Sequence, residues 1–311
     1  MKWTRFRLAQ RICRPLPPII AQRLRTWLYP IDRARRDAHE CAVKAQTGSI
    51  LDGNTKDWHF YRFSIHGYND WRNVAATLVL AAEGDVIIEV GSNIGTETIS
   101  FADIVGKDGV VHAFEPLPSH VTALRRANER SRYRNIVVHP CALSDRCGVV
   151  PFVVPPEHAS GIGHVVHGDA QAQSATLQVQ LATLDTLAEE IGSARLIILD
   201  IEGEEVNFLK GAKEYLQTHR PRLVLEASPR LLQRAGTSLE DLYERLEDLG
   251  YSVYCMKRFG LGRVTPGMQY EAQNWVCLSE SDKMLSRRVS RYIVSCALLP
   301  CVRGVNPLSR R

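Results

Sequence analysis

The chain has 311 residues, 45% of them hydrophobic and 23% charged, with eight cysteines and a net charge of +5. This composition excludes a disordered acidic chain, a collagen-like repeat and a disulfide-dense mini-domain, and the length is ample for a buried core. The charge is uneven: residues 1–36 carry ten basic side chains against Asp32 alone, residues 282–311 carry seven against Asp282 alone, and the stretch between them carries 22 basic against 32 acidic.

In chain order, the first thirty residues hold no acid, and Pro15, Pro17 and Pro18 interrupt them. The spacing predicts a helix over 19–28 with Ile20, Leu24, Trp27 and Leu28 near one face and Arg23 and Arg25 elsewhere. That pattern suits an interfacial membrane helix or an arginine-rich targeting segment, and equally a basic helix resting on a domain. The longest apolar run near an end, Tyr292 to Val302, is too short to span a bilayer. The cysteines lack CxxC spacing and histidines at zinc spacing, so free thiols are expected.

From residue 71 the pattern becomes regular. A helix over 71–82 ends at Gly84, and the run Val86-Ile87-Ile88-Glu89-Val90 suits a parallel strand buried on both faces. Gly91 to Gly95 then turn the chain into a helix from Thr96. A strand over 110–115, a helix over 118–128 and a strand over 135–140 follow. The rhythm returns with a strand over 196–200, a helix over 203–218, a strand over 222–226 and a helix from Leu239, where Ser238 and Asp241 form a capping box. Two last strands, 251–256 and 274–278, flank a Gly-rich turn over 260–267. The alternation predicts an α/β fold, Rossmann-like, with a seven-stranded, mostly parallel doubly wound sheet. The expected organisation is a basic, partly helical extension over 1–70, a domain over 71–281 with a substrate-side insertion over 143–194, and a basic tail over 282–311.

Ligands of such sheets bind beyond the carboxyl ends of the strands. Those ends here read Glu89/Gly91, Glu115, His139, Asp200 and Glu226, and buried unpaired carboxylates are too costly to be mere scaffolding. Gly91 and Gly95 would let backbone approach a ligand, but their spacing is not the GxGxxG of dinucleotide binders, and Glu89 beside them would repel a pyrophosphate. A sulfonium–amino acid would be welcome there. Glu115 stands 24 residues after Gly91, where an acid can hold both hydroxyls of a ribose. These features point to S-adenosylmethionine. The segment Asp200-Ile-Glu202-Gly-Glu204-Glu205 places acids across a strand-to-helix turn, although Glu204 and Glu205 also suit an acidic helix start.

The blocks Glu89-Val-Gly-Ser-Asn-Ile-Gly95, His112-Ala-Phe-Glu-Pro116, Ala142-Leu-Ser144, Leu184-Asp-Thr-Leu187, Leu199-Asp-Ile-Glu-Gly-Glu-Glu205 and Leu209-Lys-Gly-Ala212 resemble the FkbM family of S-adenosylmethionine-dependent methyltransferases. The resemblance spans about 86–230. It implies a Rossmann-like methyltransferase acting mostly on hydroxyl oxygens of sugars, glycans, glycolipids or polyketides. It also implies a cofactor site at Glu89, Gly91, Asn93, Gly95 and Glu115, and Ser92, Ala142 and Asp200 beside them are further candidate cofactor contacts. Two positions depart from the family pattern: Glu89, where Asp is frequent, and Ile198, where Lys is.

A hydroxyl acceptor needs a base within hydrogen-bond reach. Asp200 is the first candidate, Glu202 and Glu226 are its supports, and His164 in the insertion is a second candidate. Asp200, Glu202 and Glu226 also have the oxygen chemistry of a divalent-cation site, but no metal is assigned there. The rival readings are an NAD-dependent enzyme of the same fold class and a catalytically silent cofactor module docking through its basic ends. The acidic body and the absence of an Asn/Asp-Pro-Pro-aromatic turn argue against a nucleic-acid substrate. The expected setting is cytoplasmic, with the basic ends suited to peripheral contact with an anionic membrane.

Overall fold

The computed structural model describes residues 2–166, 176–265, 267 and 271–309. The amino-terminal part forms α1 (Lys2–Cys13), α2 (Pro18–Leu28), α3 (Ile31–Asp37), the hairpin β1 (Glu40–Lys44) and β2 (Ile50–Asn54), and then α4 (Trp58–His66) and α5 (Trp71–Leu80). The alternating core follows as β3 (Val86–Val90), α6 (Thr98–Val105), β4 (Val110–Phe114), α7 (Pro118–Arg130) and β5 (Ile136–His139). The insertion holds β6 (Ala142–Leu143), β7 (Gly148–Val153), β8 (His164–Val165), β9 (Thr176–Ala182) and α8 (Ala188–Ile191). The chain continues through β10 (Leu196–Leu199), α9 (Glu205–Gly211), α10 (Lys213–His219), β11 (Arg222–Ala227), α11 (Pro229–Arg234) and α12 (Leu239–Asp248). It ends with β12 (Tyr251–Lys257), β13 (Gly260–Arg263), β14 (Gln273–Ser279) and α13 (Leu285–Leu298).

The main sheet runs β13-β12-β14-β11-β10-β3-β4-β5. Its five central strands, β11-β10-β3-β4-β5, are parallel, and β14 is antiparallel to both β11 and β12. The sheet has eight strands among the described residues rather than the expected seven. The surplus strand is β13, in the stretch expected to be only a Gly-rich turn: Gly260–Arg263 pairs antiparallel with β12, and Leu261 N–H donates to Ser290 Oγ of α13 at 3.0 Å. Apolar side chains on one face of the sheet meet α5, α6 and α13, and those on the other meet α9 to α12, so both faces of the β-branched strands are covered.

Local chemistry sets most element ends. Ser238 and Asp241 form the capping box of α12. Asp57 caps α4 by accepting from Phe60 N–H at 2.8 Å, and Asp70 caps α5 by accepting from Arg72 N–H at 2.8 Å. The single helix expected over 203–218 is broken between α9 and α10. A Cβ on Gly211 would lie 2.0 Å from the Ser144 carbonyl oxygen, so the insertion's first residues press directly on this point.

Neither end of the chain is a loose appendage. Val289, Ile293, Cys296 and Ala297 of α13 are buried with α5 in the main core. In the amino-terminal part, Val43, Leu51, Phe60 and Phe63 pack with Ile99 of α6 and Ala127 of α7. Helix α2 divides the expected apolar face: Leu24 and Leu28 pack against the amino-terminal core and Arg25 is buried, 3.1 Å from His66 Nε2, whereas Ile20, Arg23 and Trp27 are exposed. All eight cysteines are free. No helix among the described residues is long and apolar enough to cross a membrane.

Candidate active site

Strand order reverses between β3 and β10, and a cleft opens there, as open α/β sheets lead one to expect. Its volume is about 260 Å³. The turn after β3 supplies Gly91, Ser92, Asn93, Thr96 and Glu97; the ends of β4, β10 and β11 supply Glu115, Asp200 and Glu226; and the insertion covers it with Phe152, Ser160, Gly161, Gly163 and Val165.

Glu115 is the most completely held acid. Its Oε2 accepts from Asn93 N–H and its Oε1 from Leu117 N–H, both at 2.9 Å, and His120 Nδ1 lies 3.4 Å from Oε1. Asn93 takes a positive φ of 50°, stabilised by its own Oδ1 accepting from Ile94 N–H at 2.7 Å. Gly91, at φ 85°, is required for a reason other than the expected approach to a ligand. A Cβ there would lie 1.9 Å from the carbonyl oxygen of Asp200, so the glycine lets two strand ends meet. Gly95, at φ 87°, lies under Leu124 of α7, and α6 starts at Thr98, two residues later than expected. Ser92 is buried and donates to the Glu89 carbonyl at 3.1 Å; Ala142 lines the cleft.

Asp200, Glu202 and Glu226 converge, with one oxygen of each within 4.8 Å of the others. Asp200 is exposed to the solvent of the cleft, whose walls still crowd its carboxyl. Burial pushes its carboxyl up to about 6, the neighbouring Glu226 carboxyl opposes the rise, and the charge of Asp70 adds to it. Burial, followed by the charges of Asp200, Glu202 and Glu205, pushes Glu226 up to about 9, so at neutral pH Glu226 holds a proton and offers it to Asp200. Burial and Asp200 raise Glu202 to about 7, against the pull of Arg234, whose guanidinium lies 3.4 Å from Oε2. The two remaining acids of the turn are internal supports. Glu204 accepts from Ser144 Oγ and Asn207 Nδ2, both at 3.1 Å, and Glu205 Oε1 faces the N–H groups of Ile201 and Gly203 at 3.4 Å.

Of the predicted positions, Glu89, Gly91, Ser92, Asn93, Glu115, Ala142, Asp200, Glu202 and Glu226 line one cleft. Gly95 does not line it and instead lies against Leu124 and Ala127 of α7. His164 does not join them: Gly163 and Val165 line the cleft, and His164 Nδ1 lies 3.0 Å from the Ile162 carbonyl oxygen. His167 and Gly168 of the same loop lie outside the described residues. Several cleft residues were not anticipated. Glu97 accepts from Asn69 Nδ2 at 3.2 Å and Asn73 Nδ2 at 2.9 Å, and Asn274 Nδ2 donates to Asn73 Oδ1 at 2.7 Å. His59 and Arg62 reach the cleft from α4, and Asp57 and His59 tie that helix to the insertion through Ser160. The acid two residues after Gly95 was a usable signal for Glu97. Nothing local to 57–62 marks its residues as cleft-lining.

The cleft suits a cationic adenosyl ligand. Eight carboxylic acids line it, and Glu89, 5% exposed, has its Oε2 without a hydrogen-bond partner. Burial pushes that carboxyl up to about 8, with Thr98 pulling less strongly the other way. A ligand with ammonium and sulfonium charges would relieve this crowding. The strand order β5-β4-β3-β10-β11 followed by a reversed strand before β12 also differs from the dinucleotide-binding order, in which the last strand simply follows the fifth.

Fold and site together define a Rossmann-like class I methyltransferase. A family model described as the methyltransferase FkbM domain matches residues 89–253. The chain belongs to the FkbM methyltransferase family, whose cofactor is S-adenosylmethionine. Hexuronic acid methyltransferase AglP of Haloferax volcanii is 30% identical over 140 residues, covering 44% of this chain and 54% of that protein. The 31-O-demethyl-FK506 methyltransferase FkbM of Streptomyces tacrolimicus is 33% identical over 135 residues, covering 39% and 50%. The chain therefore spans about half the length of the curated relatives it matches. The solved FkbM methyltransferase of Methylobacillus flagellatus KT gives a TM-score of 0.43 at 14% identity, covering 88% of this chain and 58% of that one.

Proposed function

We propose that the chain is an O-methyltransferase acting on a hydroxyl of a sugar, glycan, glycolipid or polyketide-like acceptor. The observation that supports this reading is the convergence of Asp200, Glu202 and Glu226, with one oxygen of each within 4.8 Å of the others, in the acid-lined cleft at the carboxyl ends of the strands. S-adenosylmethionine supplies an activated methyl group. Asp200 takes the proton of the acceptor hydroxyl, so that the oxygen is nucleophilic when it meets the methyl carbon. Glu226 keeps its own proton directed at Asp200 and limits the charge at this spot. Glu115, already fixed by two backbone donors, has lone pairs left for ribose hydroxyls. The two relatives support the reading by name: one methylates a hexuronic acid, the other an O-demethyl compound.

Two experiments test the proposal. Calorimetry with S-adenosylhomocysteine should detect binding to the purified protein. Mass spectrometry of glycan and lipid extracts from cells with and without the active protein should reveal a species lacking one methyl. If extracts are identical while the cofactor product binds, O-methylation of these classes is ruled out.

We also propose that the acceptor is met at an anionic membrane. Ile20 and Trp27 are exposed beside Arg23 on α2, which follows the arginine-bearing α1; an amphipathic surface of this kind binds anionic lipid. Flotation with anionic vesicles should be lost at high salt or in Trp27→Ala. Equal flotation with neutral vesicles would remove the electrostatic part.

A further inference from the structure

Arg62 stands apart from the other cleft residues. Among the described residues, it is the one permanently cationic side chain lining a cleft that eight acids also line. It is half-buried, its guanidinium carbon lies 5.9 Å from the Trp58 ring centroid, and no ion pair or hydrogen bond is found for it among the described residues. The arginines that pair with acids of the cleft do not line it themselves: Arg72 lies 3.1 Å from Asp70 and Arg234 lies 3.4 Å from Glu202. Arg62 is positioned by α4, whose first turn is fixed by the Asp57 cap and tied to the insertion by Ser160 N–H donating to Asp57 at 3.1 Å. Its field reaches Asp70 and Glu97, both of which also raise Asp200 or are raised by it, so Arg62 belongs to the Asp200 end of the cleft.

The amino-acid part of S-adenosylmethionine carries an ammonium, a sulfonium and a carboxylate. The cleft's acids suit the first two and repel the third. A guanidinium without a protein partner, held on a helix at the same end, supplies what the carboxylate needs. We propose that Arg62 receives the carboxylate of the cofactor's methionine. Helix α4 lies before residues 89–253, so the clasp comes from outside the matched domain. The inference rests on the cofactor reading above.

The test is calorimetry on the full chain with two probes: S-adenosylhomocysteine, and 5′-methylthioadenosine, which keeps the nucleoside and thioether and lacks the amino acid. Arg62→Gln should raise the Kd for S-adenosylhomocysteine about 30-fold, roughly 2 kcal/mol, and leave that for methylthioadenosine within about twofold. Arg62→Lys should recover part of the loss, and unchanged melting without ligand should verify the fold. Equal weakening of both probes, or no weakening of either, overturns the proposal. So does a variant that binds S-adenosylhomocysteine normally but shows a raised KM for an acidic acceptor, since Arg62 would then serve the acceptor. Failure of the unmodified protein to bind either probe overturns the cofactor reading itself, a distinguishable result.

Discussion

At one end of the cleft Glu115 accepts two backbone hydrogen bonds and has a histidine nearby. At the other, Asp200, Glu202 and Glu226 crowd one another, with Arg234 beside Glu202. The same chemical group thus does two different jobs. A carboxylate facing fixed donors is a stationary acceptor, suited to gripping neutral hydroxyls. Carboxyls facing one another share protons and respond to pH and to arriving positive charge. The difference arises from backbone placement: Glu115 is wrapped by the turns after β3 and β4, whereas Asp200 and Glu226 leave adjacent parallel strands side by side.

This contrast can be broken or sharpened by experiment. The largest effect is expected from Asp200→Asn, which should lower turnover about 10²–10⁴-fold while S-adenosylhomocysteine affinity stays within a few-fold. Unchanged turnover would take Asp200 out of the proton transfer. Gly91→Ala should destabilise the fold by about 3 kcal/mol or more in urea titrations, since its Cβ would meet the Asp200 carbonyl oxygen at 1.9 Å. Glu115→Gln should weaken S-adenosylhomocysteine binding about 10- to 100-fold, the cost of a charge-assisted contact, with little change in the pH dependence of turnover. A shifted pH profile would mean that the two ends are coupled.

The smallest effect concerns stability and pH. Burial raises Glu89, Glu97 and Glu205 to about 8 and Glu226 to about 9, so each binds its proton more tightly in the folded than in the unfolded state. Their contribution is fully present below their unfolded value near 4.5 and is lost as pH rises through about 8 to 9. Urea midpoints of the ligand-free protein should therefore fall from pH 6 to pH 9. Glu89→Gln should flatten that fall.

Much of this was legible before any coordinates. Glu89, Glu115, Asp200 and Glu226 follow or end apolar runs, and a parallel sheet brings all such ends to one edge. Periodicity therefore sufficed to group them. It could not separate Glu202 from Glu204, which also borders the cleft but is held by Ser144 and Asn207, or from Glu205, which turns back to the N–H groups of the turn. Those three acids look alike in sequence, and only the positive φ of 57° at Glu202 and the press of Gly203 against Leu231 decide which way each points. His164 does not line the cleft for a related reason: in a short strand, neighbours face opposite ways, and Val165 took the inner side.

The sequence by itself determined the alternation of strands and helices and the acids at the strand ends, because these depend on periodicity and local turn chemistry, while the likeness to a methyltransferase family rested on its motif blocks. Tertiary structure alone decided that α4 and α5 would close the cleft with His59, Arg62 and Asn73, that Arg25 would point inward while Trp27 faced solvent, and that a glycine-rich stretch would become an eighth strand. Those outcomes depend on which distant surfaces meet when buried area is maximised and charges find partners, and contacts between residues far apart in the chain leave no periodic trace in it.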